Sequence, residues 1–176
     1  MGGDGTRESD STVQVNHLAV PVDDVDEATA FYVDLFAAQV VPSPAFPVPV
    51  AWVVLGNVQL HLVQRPAQAT KAYHFAVSIE RREHFEALYH RAGREDLFER
   101  DAVDHHLYEA PGGVVQLYLR DPSGNVVECD YADVHDLDAA VVADIRRWAD
   151  LNEQSSWNDK ASVFGTGVVA AAEEDR

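Results

Sequence analysis

The chain has 176 residues, of which 47% are hydrophobic and 24% charged, so it is long enough to bury one domain core or two small ones. Thirteen Lys and Arg residues stand against thirty Asp and Glu residues, which gives a net charge of −17. Phosphate contacts need clustered cations, so this charge balance excludes nucleic acid and an anionic membrane surface as the main partner.

The single cysteine, Cys129, cannot form a disulfide within the chain. A chain without internal disulfides is typical of a reducing compartment. No stretch is apolar over the 18 or so residues that a membrane-spanning helix needs, and the first residues have neither a basic segment nor an apolar one. We therefore expect a cytoplasmic protein that does not associate with membranes.

Two parts of the sequence repeat each other. The segment His17–Val22 (HLAVPV) recurs 57 residues later as His74–Ile79 (HFAVSI), and Gly-Asn-Val at 56–58 recurs at 124–126. The two Gly-Asn-Val segments are 68 residues apart, which is more than the 57 residues between the two histidine segments. The second copy therefore contains an insertion, which we place within 101–113. A repeat of this length indicates two copies of one supersecondary unit.

The first copy predicts the order β-α-β-β-β. Residues 13–20 alternate at period 2 as in a strand, and a helix over 24–37 is capped by Asp23 or Asp24. The apolar stripe of this helix consists of Ala28, Phe31, Tyr32 and Leu35. Three further strands are predicted at 39–41, 50–55 and 58–63.

The second copy predicts the same order, followed by an extra helix. A strand over 73–79 precedes a helix over 82–92, for which Gly93 is placed as the C-cap. Apolar residues recur at helical spacing beyond the repeat, which predicts one amphipathic helix over 136–151. The remaining strands are predicted at 96–100, 114–119 and 125–131, and the stripe of the extra helix is Leu137, Val141, Ile145 and Trp148.

These elements predict an α+β chain of five segments. They are a flexible N-terminus over 1–11, a first βαβββ module over 12–64, a second module over 71–132, a C-terminal helical extension over 133–164 and a flexible acidic tail over 165–176.

Strand alternation brings potential metal ligands to one face of the predicted sheets. The bulky apolar positions of each strand face the helices, so the opposite face collects the polar ones. These polar positions are His17, Gln59, His61, His74 and Glu128. Two imidazoles and a carboxylate are a ligand set for Fe(II), Mn, Ni or Zn, so this face predicts a site for one divalent metal ion whose identity stays open.

Several motifs resemble the vicinal oxygen chelate superfamily, which includes glyoxalase I, bleomycin resistance proteins and extradiol dioxygenases. The resemblance covers about residues 12–132, and its most specific part is the strand-turn-strand segment 118–128 (YLRDPSGNVVE). The other motifs are NHLAVPVDD at 16–24, Phe31-Tyr32, QLHL at 59–62 and YHFAV at 73–77.

The resemblance implies paired βαβββ modules whose sheets form a cup around a divalent metal. The ligand positions of the family map onto His17, His74 and Glu128, and this complete set favours an enzyme. A glutamate is common at the fourth ligand position, where this sequence offers Gln59 or His61. We favour His61 because a neutral imidazole is the better donor for a borderline metal.

Three functions are consistent with this resemblance. The first is a metal-dependent lyase or isomerase of the glyoxalase type that acts on a small substrate with vicinal oxygens, with Glu128 as the catalytic base. The second is an extradiol-type dioxygenase using Fe(II). The third is a bleomycin-resistance-like protein that binds a ligand without chemistry. In each case Trp52, Gln116 and Tyr118 are candidate substrate-binding residues.

Two further features have weaker interpretations. His105 and His106 lie in the inserted segment, where we expect a solvent-exposed pair or part of a lid. The apolar stripe of the extra helix is more than a two-module core requires, so we expect a homodimer.

Overall fold

A computed structural model of the chain describes residues 17–66, 74–100 and 104–156, and these fall into two compact units. The first unit ends at Arg65 and the second begins at Pro66. The expected α+β class is confirmed. The segments 1–11 and 165–176, for which flexibility was predicted, lie outside the described residues.

The first unit has the predicted β-α-β-β-β order. Its sheet has the strand order β1-β4-β3-β2, in which β1 pairs in parallel with β4 and the other neighbours are antiparallel. The first strand of the unit therefore lies beside its last. The elements are β1 His17–Val22, α1 Val25–Phe36, β2 Gln39–Val41, β3 Val50–Leu55 and β4 Val58–Gln64.

Helix α1 begins where the sequence predicts. The Asp24 carboxylate accepts hydrogen bonds from the backbone N–H groups of Asp26 and Glu27, both at 2.9 Å, which satisfies two of the free donors of the first turn. The whole predicted stripe is buried. It packs on strands β3 and β4, whose inward side chains Val53, Leu60 and Leu62 are also buried. The opposite face of this sheet is thereby left for the polar residues.

The second unit repeats this arrangement and extends it by one strand. Its sheet has the order β5-β8-β7-β6-β9, again with the first strand of the module parallel to the last. The elements are β5 His74–Ser78, α2 Arg82–Glu95, β6 Leu107–Glu109, β7 Val115–Arg120, β8 Val126–Tyr131, a 3₁₀ turn Val134–Asp136, α3 Ala139–Val142, β9 Arg146–Arg147 and α4 Trp148–Leu151.

Two predictions about the second copy are wrong. Helix α2 continues past Gly93 to Glu95 and is capped by Asp96 in the left-handed region, with φ of 54°. Gly93 instead allows the Phe98 ring to approach, since a Cβ at this position would lie 3.3 Å from a ring carbon of Phe98. No strand forms at 96–100, where Phe98 makes one isolated bridge, and β6 lies in the inserted segment.

The single C-terminal helix predicted over 136–151 is also wrong. The segment is broken into two four-residue helices with the short strand β9 between them. Tertiary contacts override the helical pattern, because Arg146 and Arg147 pair in parallel with β6 and the Arg147 guanidinium bonds Glu109 at 2.9 Å. Leu137 and Val141 are buried within this unit.

Candidate functional site

The helix-free face of the second unit contains a buried carboxylate with partners on both oxygens. Strand β8 places Glu128 opposite Ala76 of β5 and Tyr118 of β7, so the three residues share a face. The Nε2 atom of His74 lies 2.8 Å from Glu128 Oε2, and the Gln116 amide donates to Glu128 Oε1 at 2.6 Å. Three predicted site residues are thus brought together within one unit.

The same face holds a second buried carboxyl group. Asp130 follows Glu128 by two residues on β8, and both are at most 5% exposed. Burial, followed by the charge of Glu128 and a hydrogen bond to it, raises the pKa of the Asp130 carboxyl to about 8. Asp130 therefore holds its proton to a higher pH than a solvent-exposed carboxyl group does, and the two groups form an acid–carboxylate pair.

Tyr118, a further predicted site residue, also forms a hydrogen bond with Glu128. Its ring contacts His74 edge-to-face, with centroids 5.7 Å apart. Burial and the neighbouring Glu128 raise the pKa of the Tyr118 hydroxyl, so it stays a neutral phenol that can donate. Glu128 is consequently held by donors from two other strands.

The C-terminal extension reaches this network through Trp148, which sequence reasoning placed only on an apolar stripe. The indole N–H of Trp148 donates to Gln116 Oε1 at 3.1 Å. Its ring stacks on Tyr108, with centroids 4.1 Å apart and planes 10° from parallel. A hydrogen-bonded chain thus runs from Trp148 through Gln116 to Glu128.

The helix-free face of the first unit carries a stack of aromatic rings. His17 lies opposite Gln59, and Trp52 lies opposite His61, so all four share the face as predicted. The His61 ring is sandwiched between His17 and Trp52, each with its centroid 4.3 Å away and its plane within 11° of parallel.

The stack constrains how His61 can bind a metal. Its Nε2 atom lies 2.7 Å from Gln59 Oε1, and burial, then the nearby His17, lowers the pKa of His61. A metal binds imidazole in the plane of the ring. The His17 and His61 rings lie in separate, nearly parallel planes, so one ion cannot lie in both planes. One of the two rings has to rotate before both can be ligands, so the fourth ligand stays a prediction.

A pocket of about 270 Å³ opens on this face of the first unit. It is lined mainly by apolar side chains and by the Trp52 and His61 rings, with Arg65 as the charged member. Trp52 Nε1 is buried and has no hydrogen-bond partner within the described residues. The predicted substrate-binding residue Trp52 is thus part of a real concavity.

The prediction that His105 and His106 are solvated is wrong. His106 is 4% exposed and its Nε2 atom lies 2.9 Å from Asp144 Oδ2, while His105 Nε2 lies 2.6 Å from the Asp144 carbonyl oxygen. Asp144 is 38 residues further along the chain than His106, and no local sequence pattern predicts such a contact.

The described part of the chain contains no helix that is both long and apolar enough to cross a membrane.

A family model matches the chain in agreement with this geometry. The model is described as the glyoxalase/bleomycin resistance protein/dioxygenase superfamily, and it matches residues 14–129, about two thirds of the sequence. The chain belongs to this superfamily. The match spans both copies of the repeat and all the predicted metal ligands. No match was found among curated proteins.

Solved structures of this superfamily share the fold. A lactoylglutathione lyase from Agrobacterium tumefaciens is 24% identical, with a TM-score of 0.51, and the match covers 66% of this chain and 92% of that one. The oxidase ChaP-H2 is 22% identical, with a TM-score of 0.54 and coverage of 70% and 99%. A fosfomycin resistance protein, FosX, from Listeria monocytogenes is 15% identical, with a TM-score of 0.54 and coverage of 71% and 97%.

The last of these structures contains Mn(II) and 1S,2S-dihydroxypropylphosphonic acid. In this chain the His74 Nε2 and Glu128 Oε2 atoms are 2.8 Å apart, and adjacent ligands about 2.1 Å from an octahedral ion lie roughly 3.0 Å apart. Gln116 on the second oxygen of Glu128 is the outer partner that a ligating carboxylate usually has.

Proposed function

We propose that the chain is a metal-dependent enzyme that acts as a glyoxalase-type lyase or isomerase on a small molecule with two neighbouring oxygens. The observation that supports this most is the His74–Glu128 contact of 2.8 Å on a buried carboxylate. An ionised carboxylate is costly to bury unless charges and donors compensate it, and a divalent cation would do so.

The ion would be held by His17, His61, His74 and Glu128. Imidazole nitrogens and a carboxylate suit Fe, Ni, Zn or Mn, and the donor set does not choose among them. When bound, a divalent ion of this kind supplies Lewis-acid stabilisation of negative charge on two substrate oxygens.

The chain itself supplies the proton chemistry. Glu128 is the candidate base, and the protonated Asp130 carboxyl that bonds it is a proton donor two residues away. Such a pair can accept a proton from a carbon and return one to its neighbour, which is the transfer that an isomerase needs. Gln116 and Tyr118 fix the Glu128 side chain and exclude water around it.

Substrate binding is assigned to the pocket beside Trp52. Apolar walls favour a substrate with an aliphatic or aromatic body. Gln116 and Tyr118 of the second unit are the further candidates for contacts with substrate oxygens.

One observation favours a second candidate, an extradiol-type dioxygenase. The His61 ring is stacked on both faces and its Nε2 atom contacts Gln59. If His61 stays in that stack, the ligand set is the two histidines and one carboxylate of His17, His74 and Glu128, which leaves an additional position for O₂.

Two measurements on the same protein separate these functions. The first is elemental analysis of protein purified without chelators, for the wild type and His61→Ala. The second follows O₂ consumption with catechols and proton exchange with 2-hydroxy ketones or hemithioacetals. Metal loss in His61→Ala without O₂ uptake supports the lyase. Normal metal content with O₂ uptake supports the dioxygenase, and a metal-free protein that binds ligands would instead be a binding protein.

The proposal includes a cytoplasmic homodimer. Buried, unpaired Cys129 supports a reducing compartment.

The apolar stripe of the C-terminal extension does not support the homodimer, because Leu137 and Val141 are buried within the second unit and Trp148 packs on its core cluster. What supports it is the edge strand β2, on which Val40 is 60% exposed. Light scattering of the wild type and Val40→Lys at several concentrations tests this point.

A further inference from the structure

A second group of metal-binding side chains lies within the second unit, outside the set that the superfamily motifs point to. His105 and His106 precede strand β6, and Asp144 lies between α3 and β9. One donor atom of each of the three lies within 4.8 Å of the other two. None of these residues belongs to the network around Glu128 described above.

The imidazole and carboxylate donors are close together. His106 Nε2 lies 2.9 Å from Asp144 Oδ2, and His105 Nε2 lies 3.6 Å from Asp144 Oδ1. Ligands at 2.0–2.1 Å from a tetrahedral ion are separated by roughly 3.3 Å, which lies between these two distances. To bind an ion, His105 Nε2 would give up its 2.6 Å contact with the Asp144 carbonyl oxygen.

The surroundings hold the donors in place. The His106 ring stacks on Phe98 with centroids 3.8 Å apart, and the Tyr89 hydroxyl of α2 donates to Asp144 Oδ2 at 2.6 Å. Metal-ligating carboxylates usually have such an outer hydrogen bond, which fixes their orientation.

The His106 side chain is almost fully buried beside Asp144. It is 4% exposed, its Nε2 atom faces the Asp144 carboxylate, and its Nδ1 atom is buried with no hydrogen-bond partner among the described residues. A buried polar atom without a partner is expected where an ion or an ordered water molecule binds.

We propose that His105, His106 and Asp144 form a separate divalent-metal site of the zinc type, with a water molecule in the fourth position. Two imidazoles and one carboxylate match zinc and are too few oxygens for calcium or magnesium. The ion would fasten the C-terminal extension to the segment before β6.

The position of the site gives it a structural role. Asp144 is followed by β9, which pairs with β6, and then by Trp148, which bonds Gln116 beside Glu128. Fixing Asp144 therefore fixes the short segment that carries Trp148 to the candidate active site.

Zinc titration of the metal-stripped full chain, in competition with a chromophoric chelator, tests this site. The wild type is compared with His74→Ala/Glu128→Gln, which removes two ligands of the proposed active site, and with His105→Ala/Asp144→Asn. We expect His74→Ala/Glu128→Gln to retain one zinc per chain. Adding His105→Ala/Asp144→Asn to it should weaken that binding at least 100-fold. His135→Ala, which removes an exposed histidine of the same unit, is the matched control and should bind like its parent.

Two results would overturn the proposal. One is a His74→Ala/Glu128→Gln protein that binds no zinc, and the other is equal zinc affinity after the His105 and Asp144 changes. Circular dichroism shows whether each variant folds. If either His74→Ala/Glu128→Gln or its combination with His105→Ala/Asp144→Asn is unfolded, an anomalous difference map of wild-type crystals at the zinc edge decides. We expect a peak about 2.0–2.1 Å from the His105 and His106 nitrogens. Absence of that peak in zinc-soaked crystals also refutes the site.

Discussion

The two units share one topology and use their helix-free faces differently. In the first, His61 is stacked between His17 and Trp52 beside an apolar pocket. In the second, Glu128 is buried in a polar network with His74 and Gln116. The repeated backbone places a histidine at the start of the first strand in both units. The difference in its neighbours makes one face aromatic and apolar and the other acidic and hydrogen-bonded.

The largest expected effect is the loss of metal when the first-strand histidine of either unit is replaced. His74→Ala removes the partner of Glu128 Oε2, and we expect the metal content of purified protein to fall at least tenfold. His17→Ala should do the same from the other unit. His84→Ala, on helix α2, is the control for a missing histidine. Full metal content in both His17→Ala and His74→Ala would contradict the ligand assignment.

The second effect concerns pH and belongs to the second unit. The Asp130 pKa is raised to about 8, so the folded protein binds more protons than the unfolded chain between about pH 4 and pH 8. Stability is therefore lost as the pH rises through this range, on the order of 1.4 kcal/mol for each unit by which the pKa is raised. Asp130→Asn should remove that loss and melt at a higher temperature than the wild type at pH 8.5.

Thermal unfolding of metal-free protein at pH 4.5 and pH 8.5 measures this effect. Asp150→Asn removes an exposed carboxylate of α4 and should leave the pH profile unchanged. Saturating metal should reduce the difference between wild type and Asp130→Asn, because a cation beside Glu128 lowers the pKa of Asp130. Identical pH profiles for the wild type and Asp130→Asn would refute the acid–carboxylate pair.

The alternation of the strands predicted this contrast only in part. Period 2 placed His17, Gln59, His61, His74 and Glu128 together on the helix-free face, and the strand register confirms the alternation within each of the two sheets. It could not show that His61 stacks between two rings, since that depends on which side chain occupies the neighbouring strand.

Long-range contacts explain the predictions that failed. The pattern of 136–151 is helical, yet Asp144 is held by Tyr89 and His106, and β9 pairs with β6. Such contacts join residues about 40 to 55 positions apart, and helical periodicity carries no information about them. For the same reason the contact between Trp148 and Gln116 could not be predicted from the helical pattern.

A third, smaller effect tests how much Trp52 contributes to the stability of the first unit. Trp52→Leu removes one side of the stack and the unpartnered indole N–H, and we expect about 1–2 kcal/mol lower stability from the lost aromatic area. Trp52 covers His61, whose pKa is lowered by burial, so Trp52→Leu should reduce the loss of stability that His61 causes as the pH falls. The loss of stability at high pH that Asp130 causes should stay as in the wild type, because Asp130 lies in the other unit. Chemical denaturation at the same two pH values measures both quantities. A changed loss at high pH in Trp52→Leu would show that the two faces do not act separately.

The smallest effect comes from the hydrogen bond of the extension. Trp148→Phe keeps an aromatic ring on Tyr108 and loses the donor to Gln116, so we expect a loss of about 1 kcal/mol in the free energy of unfolding. Hydrogen exchange of Gln116 and Glu128 amides should be unaffected, while exchange in α4 should increase. Trp148→Ala should lose clearly more stability, and equal losses in the two variants would mean that stacking contributes nothing.

The parallel pairing of β1 with β4, and of β5 with β8, has a consequence for how the chain is made. In each unit the first strand waits for the fourth strand to be synthesised, with some 40 to 50 residues between their pairing partners. Closing loops of that size delays folding relative to hairpin formation. The first sheet is complete only when Gln64 has emerged from the ribosome, and the second waits for Arg147, the last residue of its fifth strand. Ribosome-stalled chains ending beyond 131 but before β9 should therefore be more sensitive to protease in the second unit than longer ones.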